Sequence, residues 1–188
     1  SLTGEGASTL LAGTLSILEG SPHQSLWGIA GFREEPHWIF PPGTRMDRSL
    51  LESIDQQITT GGGTDLGSAL HFSMAALKES DGGKSLVVIT DGRSTPDDWE
   101  GIGTSLKRMQ IDFHVLLVGE PIELEAVEIL SGVSDGAVHR AHSAQHARAL
   151  LQEVVQPQEK GWQPVRSPVL VASLDEFLDA GAPRPPVP

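Results

Sequence analysis

Two short runs, SLVVIT at Ser85–Thr90 and IDFHVLLVG at Ile111–Gly119, are apolar at almost every position, odd and even alike. A strand that alternates polar and apolar residues keeps one face in water, whereas a run without alternation needs cover on both faces. Between the runs, Trp99, Ile102, Leu106 and Met109 recur at helical spacing. Strand, helix and strand in that order predict a parallel pair joined by a crossover helix, with helices on both sides of the sheet.

The same alternation extends in both directions. Leu11, Leu15 and Leu18 mark a helix within Ala7–Glu19. SLWGIAGF (Ser25–Phe32) reads as a buried strand, and HWIF (His37–Phe40) as its hairpin mate, stopped by Pro41 and Pro42. A short helix is expected over Arg48–Ile58. Leu66, Ala69, Leu70, Ser73, Met74 and Leu77 trace one of the clearest helical faces in the chain. Glu123–Leu130 is expected to be helical and Gly136–Ala141 to be a short edge strand. Ala147, Leu150, Leu151 and Val154 space the last clear helix. The pattern predicts an α/β fold with a doubly wound, mostly parallel sheet. One domain is expected over residues 1–155. Residues 156–188 are proline-rich, end in GAPRPPVP, and are expected to be a partly disordered extension in which PVLVASLDEFLDA adds an extended segment and a short helical turn.

Charge and composition narrow the function classes. With 13 Lys and Arg against 25 Asp and Glu, the net charge is −12, which disfavours a nucleic-acid binder and weakly favours basic partners or cations. Cysteine is absent, so disulfides and thiolate metal sites are excluded. No apolar run is long enough to cross a bilayer, and a cytoplasmic location is the expectation. The chain begins with Ser1 rather than Met, as a processed chain or a piece of a longer one would.

Chemistry concentrates in two places. In TTGGGTDLGSAL (Thr59–Leu70) three glycines run into Thr64 and Asp65 at the mouth of a helix. The spacing does not fit a dinucleotide fingerprint, and no Lys is present for a P-loop. Either Thr64 or Asp65 can serve as the N-cap. In VVITDGRS, Asp91 stands at the carboxyl end of a buried strand, a costly place for a charge unless it caps, pairs or holds a cation. Ligands of doubly wound sheets bind beyond the carboxyl ends of the strands, and both loops fall on that rim.

These motifs resemble the von Willebrand factor type A (VWA) domain family over roughly residues 1–155. Gly62-Gly63-Thr64 is similar to the family's second metal-site loop and Thr90-Asp91-Gly92 to its third. The opening SLTG is similar to the end of its D-x-S-x-S loop, with Ser1 in place of the second Ser. The resemblance implies a Rossmann-like sheet and a metal-ion-dependent adhesion site with Ser1, Thr64 and Asp91 as ligands, for Mg²⁺ or alternatively Mn²⁺ or Ca²⁺. It implies partner contacts at Gly63, Asp65, Arg93 and Ser94 and a protein partner presenting a carboxylate. It also implies that the first strand is missing from this chain, leaving an open apolar slot in the sheet. WIFPPGTR, GGGTDLGSAL and VVITDGRS are similar in flavour to VWA modules of chelatase D subunits and of proteins that work with MoxR-type AAA+ ATPases, which makes such an ATPase an expected partner.

Other residues stay open to plainer readings. His139, His142 and His146 are spaced as metal ligands can be, but no H-E-x-x-H pattern is present and a solvated helix start accounts for them. His114 reads as a satisfied core residue, and Asp97-Asp98 as the start of a helix, where acids suit the dipole. A metal-free structural module is the alternative to the adhesion site. A metal-dependent phosphotransfer or hydrolytic enzyme is less favoured, because no nucleophile elbow or cysteine nucleophile is present.

Overall fold

The computed structural model describes residues 28–32, 35–43, 65–80, 83–90, 92–118, 124–155 and 165–172, the last as backbone alone. Among the described residues six strands are present: β1 (Gly28–Gly31), β2 (His37–Phe40), β3 (Gly83–Thr90), β4 (Ile111–Val118), β5 (Ala137–Ala141) and β6 (Val165–Ala172). Four helices accompany them among the described residues: α1 (Leu66–Lys78), α2 (Trp99–Arg108), α3 (Glu125–Ser134) and α4 (Ala144–Val155). The expected helices within residues 7–19 and 48–58 lie outside the described residues.

The strands form one sheet in the order β2-β1-β6-β3-β4-β5. β2 pairs antiparallel with β1, as the hairpin reading requires, and every other pairing is parallel. The run β3-α2-β4-α3-β5 is the repeated crossover unit that the two apolar runs demand. Each run is buried through its carboxyl-terminal half, from Leu86 to Thr90 in β3 and from Val115 to Val118 in β4.

β6 changes one expectation. The sequence predicts an open slot in the sheet and places Val165–Ala172 in an extension. Instead β6 lies at the centre, with Gly28–Gly31 in register against Val169–Ala172 on one side and Lys84–Ile89 against Ser167–Ala172 on the other. Its backbone supplies hydrogen-bonding groups to both β1 and β3, so no gap separates those two strands. Unpaired donors and acceptors inside a sheet are costly, and a segment that satisfies both edges is favoured even with Pro168, which contributes no N–H, opposite Ser85.

α1, α2 and α3 share one core with the sheet. Leu66, Leu70, Met74 and Leu77 of α1 belong to the same buried cluster as Leu86 and Val88 of β3. Ile102 and Leu106 of α2, Val127 and Leu130 of α3, and Phe113, Val115 and Leu117 of β4 complete it, with both helices lying against β4. Each such side chain contributes about 1.5–3 kcal/mol by leaving water. On β4 the alternate residues Leu116 and Val118 are buried as well, and α4 lies against β4 and β5. α3 runs four residues past its expected end and stops at Asp135, whose φ of 58° is a left-handed cap. Among the described residues, no helix is long and apolar enough to cross a membrane.

Candidate functional site

The rim at the carboxyl end of β3 is built from two helix starts and the loop between β3 and α2. β3 ends on the fully buried Thr90, whose Oγ1 accepts a hydrogen bond from the Gly92 N–H at 3.1 Å. That turn holds Gly92 at φ 98°, a backbone state that side-chain-bearing residues rarely adopt. The chain then runs over Arg93–Asp98 to α2.

Asp65 is the N-cap of α1. Its Oδ1 accepts from the Ser68 N–H at 2.9 Å, and its Oδ2 from the Ser68 hydroxyl at 2.7 Å. Of the two cap readings open in the sequence, Asp65 is therefore the one realised. Leu66 is the first residue of α1, so its N–H has no partner inside the helix. It donates instead to Ser94 Oγ, 3.2 Å away in the loop after β3, and the Ser94 hydroxyl donates in turn to the Thr95 carbonyl at 3.1 Å. The helix start and the post-strand loop are thus joined across 28 positions of sequence.

A second contact reinforces the joint. Gly67 packs against the Asp97 carboxylate so closely that a Cβ there would overlap it. Asp97 Oδ1 accepts from the Asp98 N–H at 2.7 Å, and Asp98 caps α2 by accepting from the Gly101 N–H at 3.0 Å. Asp97-Asp98 start a helix, as read from the sequence. Asp65, Asp97 and Asp98 all sit at the positive ends of helix dipoles, where carboxylates are favoured.

Of the sequence-predicted site residues, Ser1, Gly63, Thr64 and Asp91 lie outside the described residues. Asp65 and Ser94 are brought to one place through α1, and each already serves as a hydrogen-bond acceptor for that helix. Arg93 is exposed on the same loop. Among the described residues, no group of three or more His, Asp or Glu side chains is arranged to hold a metal ion.

A second polar cluster lies across β4 and β5, and the sequence did not show it as a cluster. His114, expected to be an ordinary core residue, is only partly buried, with 16% of its side chain exposed. Its Nδ1 is 3.4 Å from His139 Nε2 on β5, and its Nε2 is 3.1 Å from Asp112 Oδ2. The latter contact is skewed, which leaves the buried Nε2 without a well-aligned hydrogen bond among the described residues. Hydrogen bonding to the His114 ring, aided by its charge and opposed by burial, holds the Asp112 carboxyl below its ordinary value. Burial lowers His139 below the usual imidazole value, His114 adds to the effect, and Glu153 on α4 opposes it. His142 and His146, by contrast, stack on each other with ring centroids 5.5 Å apart. His146 accepts from the His142 N–H at 3.4 Å and donates its own N–H to Ser143 Oγ at 3.1 Å, as expected of a helix start.

Comparison with known proteins agrees with this architecture. The family model for the von Willebrand factor type A domain matches residues 7–156. An aerotolerance-related membrane protein from Bacteroides fragilis NCTC 9343, crystallised with multiple mutations to serines, is 20% identical. The match covers 80% of this chain and 87% of that one, with a TM-score of 0.60. The von Willebrand factor type A protein from Catenulispora acidiphila is 14% identical over 79% of this chain and 37% of its own, with a TM-score of 0.66. The SpRpn10 VWA domain is 11% identical over 98% and 87%, with a TM-score of 0.57. At such identities these likenesses speak for the fold alone. No curated protein matches the chain. The parallel sheet with its flanking helices and the match over most of the length lead to one conclusion: the chain belongs to the von Willebrand factor type A domain family.

Proposed function

We propose that this chain is a protein-binding module that engages its partner through a divalent cation at the rim, with Ser1 and Thr64 supplying hydroxyls and Asp91 a carboxylate. Members of the family are generally interaction modules rather than enzymes. The observation that carries the finer reading is the hydrogen bond from the Leu66 N–H to Ser94 Oγ. Thr64 stands one residue before Asp65, and Asp91 one residue before Gly92. The bond therefore ties together the described neighbours of both proposed ligands.

The donor set suits the ion. Two hydroxyls and one carboxylate are hard oxygen ligands, with neither imidazole nor sulfur among them, and such sets favour Mg²⁺, with Mn²⁺ and Ca²⁺ as alternatives. When bound, the cation would supply an electrophilic position for a carboxylate of the partner. This chain's own part is to hold the rim. Asp65 fixes the first turn of α1 and Ser94 fixes the loop after β3, and the proposed partner contacts are Gly63, Asp65, Arg93 and Ser94. The proposed partner is an AAA+ ATPase subunit or its substrate, in the manner of chelatase D and MoxR-associated modules, and the proposed location is the cytoplasm. Both rest on the motif resemblance.

One observation favours a second reading, a metal-free interaction module. Asp65 and Asp98, the rim carboxylates that cap α1 and α2, are already engaged with helix N–H groups. Calorimetric titration with Mg²⁺ and Mn²⁺ decides between the two. Saturable binding that is lost in Asp91→Ala and weakened in Thr64→Ala is the expected result. Absence of binding to the unaltered chain, or binding unchanged in both variants, leaves the metal-free module.

A further inference from the structure

We propose that β5 is a docking edge for an extended segment of a partner protein that alternates acidic and apolar residues and joins the sheet as an antiparallel strand. The contact is separate from the rim ligands and needs no metal. It rests on a difference between the two edges of the sheet, which among the described residues are β2 and β5. β2 is blunted. It has four residues, a register shift against β1 between Ile29 and Ala30, and Pro41-Pro42 directly after it. Short strands, irregular pairing and prolines are the usual means of keeping an edge from pairing further.

β5 has none of these devices. AVHRA contains no proline, glycine or lysine, and its pairing with β4 is unbroken from Ala137 opposite His114 to Ala141 opposite Val118. In such a strand alternate residues turn their N–H and C=O groups away from the neighbour already present. A regular ladder on one side thus presents a regular template on the other.

The side chains select the occupant. Val138 and Arg140 share one face of β5, and both are exposed. At 41% exposure, Val138 is the one exposed large hydrophobic among the described residues. Positions 136–152 hold Arg140, Arg148 and three histidines but no Asp or Glu, in a chain of net charge −12. At the amino end of the strand, Asp135 is already paired with Lys107 at 2.7 Å. An antiparallel strand laid on β5 places one residue opposite Arg140 and the next but one opposite Val138. An acid in the first place and a branched apolar residue in the second complement them, and directly opposed pairs of these kinds stabilise strand pairing. The backbone supplies affinity, and the alternate side chains supply specificity. A second copy of β5 offers no carboxylate to Arg140, since AVHRA has none, so charge complementarity points to an acidic partner segment instead.

The probe is the end-blocked peptide TETETITVT, titrated into the whole chain with either Mg²⁺ or EDTA present and followed by amide NMR. Saturable binding is expected in both, with shifts and slowed amide exchange centred on residues 137–141. Binding should weaken as salt is raised. The control peptide TKTKTITVT should bind about tenfold more weakly, because a like charge then faces Arg140. In Arg140→Glu the preference should reverse. Arg140 is exposed, so the fold should tolerate that change, and the two peptides test the same charge on the unaltered chain. Equal affinity for the two peptides, an unchanged preference in Arg140→Glu, shifts centred on residues 65–68 or 92–98, or a requirement for Mg²⁺ each overturns the proposal. So does self-association of the peptide-free chain through β5, or no saturable binding at millimolar peptide.

Discussion

At the rim, Asp65, Leu66 and Ser94 are joined by hydrogen bonds that run through the first turn of α1. At the β4–β5 edge, Asp112 and His114 are near neighbours on one strand, and His139 joins them only through the register of two parallel strands. The rim is a consequence of helix starts. Asp65, Ser94 and Asp98 there each answer a backbone N–H that a helix leaves without a partner. The histidine cluster is a consequence of pleating, since a slip of one residue between β4 and β5 would send His139 to the opposite face of the sheet. The first place is held by short-range hydrogen bonds and is sensitive to single side chains. The second is held by the core and is sensitive to whatever shifts a strand.

The largest effect in this contrast comes from the core beneath the rim. Leu66 is 1% exposed and packs into the cluster shared by α1, α2, α3 and the sheet. Leu66→Ala is expected to lower unfolding stability by about 2–5 kcal/mol, as large-to-small core changes do, and to loosen the hydrogen bond to Ser94 that its own N–H makes. Urea denaturation measures the first effect. Amide exchange at residue 66 measures the second. A loss below about 1 kcal/mol would mean that α1 is not anchored through this residue.

Asp65→Ala comes next. It removes the acceptor for the Ser68 N–H and for the Ser68 hydroxyl, and loss of an N-cap costs about 0.5–2 kcal/mol. The same change at Asp98 removes only the bond from Gly101 on an exposed turn and should cost less. If Asp98→Ala proves the more damaging in thermal unfolding, the rim is organised by α2 rather than α1.

These differences explain what was legible before any coordinates. The fold was readable because β3 and β4 are apolar at odd and even positions through their carboxyl-terminal halves, and only cover on both faces accommodates that. The helix starts were readable because Asp65 and Asp97-Asp98 stand directly before apolar periodicity. β6 was not, because Pro168 argues against a central strand, and only the open edges of β1 and β3 make its insertion favourable. Nor was the histidine pair. His114 and His139 are 25 positions apart, and strand register cannot be read from either segment alone. His142 and His146 drew attention through their helical spacing, yet they stack beside each other at the start of α4 and do not join the pair.

The edge cluster can be probed by pH. His139 is held below its ordinary value of about 6.5, so the unfolded chain binds a proton more readily than the folded one. Stability is then at its full value above about pH 6.5 and declines as pH falls from there toward the folded value. Asp112, also held low, adds stability that is present above about pH 4 and is lost as pH falls further through its folded value. Both contributions push the same way. Replacing His139 with Gln should flatten the upper part of the stability profile and leave the part below pH 4 in place. A profile in His139→Gln that still declines as steeply between pH 6.5 and 5 would assign that decline to other groups.

The smallest expected effect is the most specific to the rim. Alanine inside a helix is ordinarily better than glycine by about 0.5–1 kcal/mol, so Gly67→Ala should stabilise α1 if the helix were alone. Here the added methyl overlaps the Asp97 carboxylate and also crowds its Cβ at 3.2 Å. Asp97 cannot simply swing away, because its Oδ1 holds the Asp98 N–H and Asp98 starts α2. The helix gain and the contact loss therefore oppose one another, and Gly67→Ala alone should be neutral or slightly destabilising. Removing the obstacle separates the two terms. In an Asp97→Ala background, Gly67→Ala should recover its stabilising effect, and the double-mutant cycle should give a coupling of about 0.5–1 kcal/mol or more. Additive effects would show that α1 and the loop after β3 touch without constraining each other, and the joint at the rim would then rest on the Leu66–Ser94 hydrogen bond alone.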